Sequence, residues 1–184
     1  MCYPFEFELK ITFELFGNKL SVTNQVNNLS DGKMYFSIGA HEGYYCPEGI
    51  EDYYIEFDEP QTLDSYILNG NLLEKNSIRI IENETKLPLK YDYFAVDALV
   101  FKNIKFHKAS LVHKNSNKKV TVEFNDSDYF LLWTKPNANY ICLEPWNGIQ
   151  DGMDADFDFV NKEGIECVEQ GKLKVITHTI EFNE

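Results

Sequence analysis

From residue 5 to residue 15 apolar and polar side chains alternate without a break. Phe5, Phe7, Leu9, Ile11, Phe13 and Leu15 fall in one set, and Glu6, Glu8, Lys10, Thr12 and Glu14 in the other. Successive side chains of an extended strand point to opposite faces, so this run reads as a half-buried strand; a helical period would scatter the same residues around an axis. Gly17-Asn18 then supplies residues tolerant of positive φ, and Leu20, Val22 and Val26 resume an apolar face. The first two elements therefore read as an antiparallel hairpin. A third strand is expected over about 34–39.

Further β-rich stretches lie at 53–57, 77–81, 93–101, 110–113, 119–124, 129–134, 140–143 and 172–182, separated by turn-prone pieces such as Asn69-Gly70-Asn71 and Lys135-Pro136-Asn137. No segment keeps a helical apolar stripe over three turns, although 154–162 suits one short helical turn. Many short strands at this spacing predict an all-β chain, an antiparallel sandwich or barrel. With 184 residues, 43 % of them hydrophobic, the chain suits one core and a single domain over 1–184. An apolar strand so near the first residue has to pair on both edges or remain an association hazard.

Charge narrows the partners. Thirty acidic residues against 17 basic ones give a net charge of −13, which opposes nucleic acid and anionic membrane surfaces. Arg79 is the only arginine, so the bidentate forks that hold phosphate groups are nearly absent and a phosphorylated substrate is disfavoured. Cys2, Cys46, Cys142 and Cys167 form no C-x-x-C pair and are read as reduced thiols. No apolar run approaches the roughly 18 residues that span a bilayer, and no leader is recognisable, so a cytoplasmic protein is expected.

Two segments carry proton chemistry. His41 sits in the glycine-flanked turn Gly39-Ala40-His41-Glu42-Gly43, whose small residues let a ligand approach the backbone; a surface-loop histidine is the plainer reading. Glu42, with its carboxylate folded back, would favour a charged imidazole there. Glu144 ends the apolar run Tyr140-Ile141-Cys142-Leu143, where a carboxylate is capped, paired or at a site. Pro145 restricts it to extended backbone, and Trp146 offers a flat apolar face of the kind on which sugar rings stack. A histidine and a carboxylate on opposite sides of a bound molecule are sufficient for general acid and base work.

Asp97, between Phe94-Ala95-Val96 and Ala98-Leu99-Val100-Phe101, reads as a bend-capping or buried hydrogen-bonding carboxylate. The acidic run Asp151, Asp154, Asp156, Asp158 fails as a calcium loop, because Phe159 and Ile165 occupy the positions of the required glycine and glutamate. It reads as a solvated loop. His107, His113 and His178 lack ligand spacing, so no metal ligands are assigned.

Together these segments resemble the aldose 1-epimerase, or galactose mutarotase-like, family, and most closely its LacX-type branch. The resemblance is carried by Tyr3-Pro4-Phe5-Glu6-Phe7, by Ser37-Ile38-Gly39-Ala40-His41, and by Asp97-Ala98-Leu99-Val100-Phe101-Lys102-Asn103. Its most specific block is Leu132-Trp133-Thr134-Lys135-Pro136 followed by Ile141-Cys142-Leu143-Glu144-Pro145-Trp146-Asn147-Gly148. It implies a galactose mutarotase-like antiparallel β-sandwich and interconversion of the anomers of a free aldohexose, without a cofactor. By the same resemblance His41 is the general acid, Glu144 the general base, and Asp97 a carboxylate that holds sugar hydroxyls; Trp146, from its flat ring, is the other expected sugar contact. Glu42 departs from the branch, which usually has proline there. The chain looks like the C-terminal portion of such a protein, without the N-terminal strands that contribute an arginine and a further histidine. A second copy, or a separate chain supplying those strands, is the protein partner this implies. The alternatives to an enzyme are a noncatalytic carbohydrate-binding domain, a remnant of a mutarotase, or a β-barrel binder of small apolar ligands.

Overall fold

The computed structural model describes residues 3–183; Cys2, among the cysteines read as thiols, lies outside them. The alternating run forms β1 (Phe7–Phe16), which pairs along its whole length with β2 (Lys19–Asn28). Gly17, at φ 60°, makes the tight turn between them. The expected strand is there, but its expected burial is not. β1 closes one end of the sheet and pairs with β2 alone among the described residues, leaving Phe13 66 % and Leu15 75 % exposed.

The expected antiparallel sandwich is built from one curled sheet of twelve strands. Its main path runs β1, β2, β14 (Leu173–Asn183), β10 (Lys119–Glu123), β9 (Lys108–His113), β6 (Tyr53–Asn69), β8 (Leu99–Phe101), β11 (Tyr129–Trp133), β12 (Tyr140–Asn147) and β4 (Ile38–Gly39). β6 makes the fold two-layered. Its first residues pair with β9, Tyr53 opposite His113, while Ser65 and Tyr66 pair with β8, and between Glu56 and Leu63 its pairing with the following strand, 72–88, shifts register. One strand thus belongs to both layers. Ile55, Leu111, Val122 and Ile180 from one layer share a core with Phe101, Phe130, Leu132 and Leu143 from the other. Phe124 and Phe130 stack at its centre, their rings 5.0 Å apart and nearly parallel. Each side chain so buried contributes about 1.5–3 kcal/mol.

Three local expectations change. The separate strands at 53–57 and 77–81 are parts of one long hairpin, β6 with β7 (Leu72–Pro88), turning at Gly70. The single strand at 34–39 breaks at Ser37: β3 (Met34–Phe36) pairs with β13 (Glu166–Val168), whereas β4 pairs with β12. The strand over 93–101 shrinks to β8, because 91–94 form a 3₁₀ turn and Asp97 Oδ1 accepts a hydrogen bond from its neighbour Ala98 N at 2.8 Å. That local bond competes with the ladder. The helical turn expected within 154–162 is a single 3₁₀ turn, Phe159–Asn161. No helix among the described residues is long and apolar enough to cross a membrane.

Candidate active site

The site lies where the chain passes from β4 to β5 (Glu42–Tyr45) alongside β12. Gly39 pairs with Trp146 and Glu42 with Leu143, and unbroken counting between those pairs sets Ala40 opposite Pro145 and His41 opposite Glu144. Directly opposed residues of an antiparallel pair share a face, their Cβ atoms about 4.5–5.5 Å apart. Pro145 has no N–H to offer the ladder, so β4 and β5 are separate short strands with Ala40 and His41 between them. Ala40 N still donates to Pro145 O at 3.0 Å and holds the register.

Glu144 is therefore not a strand-end residue. β12 continues through it to Asn147, and its carboxylate is 2 % exposed, facing a His41 ring that is 58 % exposed. His41 Nδ1 stands 3.3 Å from Glu144 Oε1, within ion-pair distance but off hydrogen-bond alignment, so that oxygen is buried with no hydrogen-bond partner. Burial, then the charges of Asp97 and Glu42, push the Glu144 carboxyl up to about 8, while the Trp146 indole works weakly the other way. At neutral pH this carboxyl holds its proton more often than an ordinary glutamic acid does.

The neighbours follow from the two-residue period of β12. Tyr140, Cys142, Glu144 and Trp146 share one face, and Ile141 and Leu143 enter the core. Trp146 donates from Nε1 to Ala40 O at 3.0 Å, and its indole lies across Gly39, where an added Cβ would come within 2.3 Å of the ring. Only glycine fits there. Trp133, beside Cys142 on β11, meets the His41 ring edge-on at 5.7 Å. His41 and Trp146 line a groove with Ser37, Gly39, Asn147 and Gln150, of about 370 Å³. Asp97 lines a different cavity with Tyr66, Arg79 and Tyr93, and reaches Glu144 only through its charge. The structure thus brings His41, Glu144 and Trp146 together, while Asp97 lines another cavity and is near enough for its charge to act on Glu144.

Glu42 does not fold back on His41. It shares its face of β5 with the core residue Tyr44, and Oε1 meets His178 Nε2 at 3.1 Å across the two layers. Burial acts to raise the Glu42 carboxyl, but the hydrogen bond and charge of His178 outweigh it and hold it below its usual value. Sequence reading missed this pair, along with Cys142 and Trp133 as neighbours of the site. The alternation of β12 was the available signal for Cys142, but nothing local in the sequence joins Glu42 to His178.

Cys46, Cys142 and Cys167 are free thiols, as expected. His41, Cys142 and Glu144 each offer one donor atom, all within 4.8 Å of one another. The acidic run near Asp154 is a mostly exposed loop tied by Lys75 and Asn161.

Comparison with known proteins identifies the frame. The aldose 1-epimerase family model matches residues 1–181. The chain belongs to the aldose 1-epimerase family. It is 32 % identical over 161 residues to the plasmid-encoded protein LacX of Lactococcus lactis subsp. lactis, a match covering 83 % of this chain and 54 % of LacX. Among solved structures it is similar to the galactose mutarotase related enzyme of Lactobacillus acidophilus. That match has a TM-score of 0.91 and 30 % identity, and covers 99 % of this chain and 63 % of that one. A galactose mutarotase-like protein from Lactobacillus casei matches at TM-score 0.88 and 24 % identity, over 98 % of this chain and 65 % of that one. The chain thus spans about half the length of the curated relatives it matches. Within this family frame, β12 and the turn before β5 are the elements that bring His41 and Glu144 together.

Proposed function

We propose that this member of the aldose 1-epimerase family interconverts the α and β anomers of a free aldohexose by acid and base catalysis. The observation that carries the reading is the cross-strand pair His41 and Glu144, with Nδ1 and Oε1 3.3 Å apart on one face. The ring oxygen and the anomeric hydroxyl of a cyclic sugar are bonded to the same carbon, so the groups that serve them have to be neighbours. A side-by-side pair suits this better than two groups on opposite sides of the ligand.

In the proposed reaction, ionised Glu144 takes the proton of the anomeric hydroxyl while protonated His41 gives one to the ring oxygen, and the C1–O5 bond breaks. The open aldehyde turns about C1–C2. Reclosure on the other face returns both protons: the ring hydroxyl gives its proton back to His41, and Glu144 protonates the carbonyl oxygen. No redox step or carrier is required. The Trp146 indole supplies an apolar wall for the sugar ring, and Asp97 contributes field rather than contact. Cytoplasmic residence belongs to the same proposal.

A second reading is a noncatalytic carbohydrate-binding domain or a remnant of a mutarotase. It is favoured by the share of its relatives that the chain spans, 54 % of LacX and 63 % of the L. acidophilus enzyme. Sugar contacts then come from another chain, or from a second copy. Exchange NMR on the two anomers of an aldohexose separates the readings. Exchange above the buffer rate that disappears in His41→Ala and Glu144→Ala supports the enzyme. Sugar binding with exchange no faster than buffer leaves the binding domain.

A further inference from the structure

Cys142 and Glu144 leave the same face of β12, and His41 stands across the ladder from Glu144. Their sulfur, oxygen and nitrogen donors lie within 4.8 Å of one another, and His41 Nδ1 and Glu144 Oε1 are already at 3.3 Å. A tetrahedral ion bound at about 2.0–2.3 Å to nitrogen, oxygen and sulfur needs its ligands roughly 3.3–3.7 Å apart, so small side-chain rotations close the set. Two features go beyond mere clustering. Glu144 Oε1, the oxygen that faces His41, is buried without a hydrogen-bond partner. Cys142 and Glu144 are buried while His41 is open to solvent, so the cluster has one accessible side.

We propose that His41, Cys142 and Glu144 form a binding site for a borderline-soft divalent cation, with Zn²⁺ the ion whose ligand preferences they match and a fourth position left for water. On binding, the Cys142 thiol releases its proton to solvent and Sγ donates an electron pair, as do the imidazole nitrogen and the Glu144 carboxylate. The thiolate and carboxylate together cancel the charge of the ion, which lowers the cost of placing it against a buried strand. Mg²⁺ and Ca²⁺, which favour six or more oxygen donors, do not suit this set. The binding is independent of the proposed reaction. Its consequence for that reaction is inhibition, since the ion takes both proton carriers at once, and this part alone rests on the mutarotase reading.

The test is a Co²⁺ titration of the reduced, metal-stripped chain. Saturation at one ion per chain is expected, with tetrahedral visible bands, a near-ultraviolet thiolate-to-cobalt band, and loss of all of them when Zn²⁺ is added. Loss of an outer-shell partner costs about 10–100-fold in metal affinity, so loss of a direct ligand in Cys142→Ser should weaken Zn²⁺ at least about 100-fold and remove the thiolate band. His41→Gln, at an exposed position that folding tolerates, should weaken it likewise, and Cys167→Ala should change nothing. A thiolate band that survives Cys142→Ser, a response to Mg²⁺ equal to that for Zn²⁺, or no cobalt spectrum at all overturns the site. If the spectrum appears but the metal-stripped chain exchanges no anomers, the metal site stands and the mutarotase reading falls.

Discussion

His41 Nδ1 stands 3.3 Å from Glu144 Oε1 because the antiparallel register sets these residues opposite each other, beside a proline that donates nothing to the ladder. Under the proposed reaction His41→Ala and Glu144→Gln each lower anomer exchange by about 100- to 10,000-fold. The double variant loses little more than the worse single one, because the pair acts as a unit. Exchange NMR at equal protein concentration reads this, and a double variant that loses the product of the two single effects would contradict it.

The pH profile has a defined sign. Glu144 abstracts a proton only when ionised, with its carboxyl pushed up to about 8, and His41 gives one only when protonated, so kcat/KM for exchange passes through a maximum and rises with pH on the acid side of it. Stability moves the opposite way. The folded chain keeps a proton that the unfolded chain releases near 4.5, so the stabilisation is complete below that value and is lost as pH rises through about 8. Glu144→Gln escapes this loss, and its stability relative to wild type improves by about 4 kcal/mol from acid to alkaline conditions. Urea denaturation at about pH 5 and about pH 9 measures the difference, and parallel curves would refute it.

Glu42→Ala leaves the buried His178 without its partner and destabilises the chain by about 1–3 kcal/mol at neutral pH. The Glu42 carboxyl is held below its usual value by His178, against the effect of burial. Its contribution is therefore complete above the ordinary carboxylate range and fades as pH falls through its lowered value. Thermal unfolding of wild type and variant should differ most near neutrality and converge in acid.

The apolar side of β1 is the exposed end of the sheet, with Phe13 and Leu15 among its open residues. Such a strand invites a further strand to pair with it. Sedimentation velocity should show self-association of the wild-type chain, reduced in Phe13→Lys and Leu15→Lys with no loss of folded secondary structure. A clean monomer at high concentration would rule this out.

What the sequence made legible follows physical range. Period-two alternation is local, so β1, β2, β14 and the strand content of the chain are visible in it. The burial of β1 is not, because burial depends on what lies across the sheet. A glutamate followed by a proline looks like a stop after Leu143, but the ladder with β11 carries β12 through both. His41 and Glu144 stand out by their local settings and take their expected roles from motif resemblance, whereas their contact comes from register. Asp97 keeps its local hydrogen bond, as its position between apolar runs suggested, but no local pattern fixes its distance from Glu144. The link between Glu42 and His178 required knowing that β5 and β14 face each other across the core.

β6 gives its first residues to one layer of the sandwich and its last to the other. Neither layer can melt while the other stays intact, because each would have to release half of a shared strand. Unfolding is then a single event, and a backbone nick has opposite effects at different points along this hairpin. At the Gly70 tip it spares both layers, whereas between Glu56 and Leu63 it cuts the strand they share.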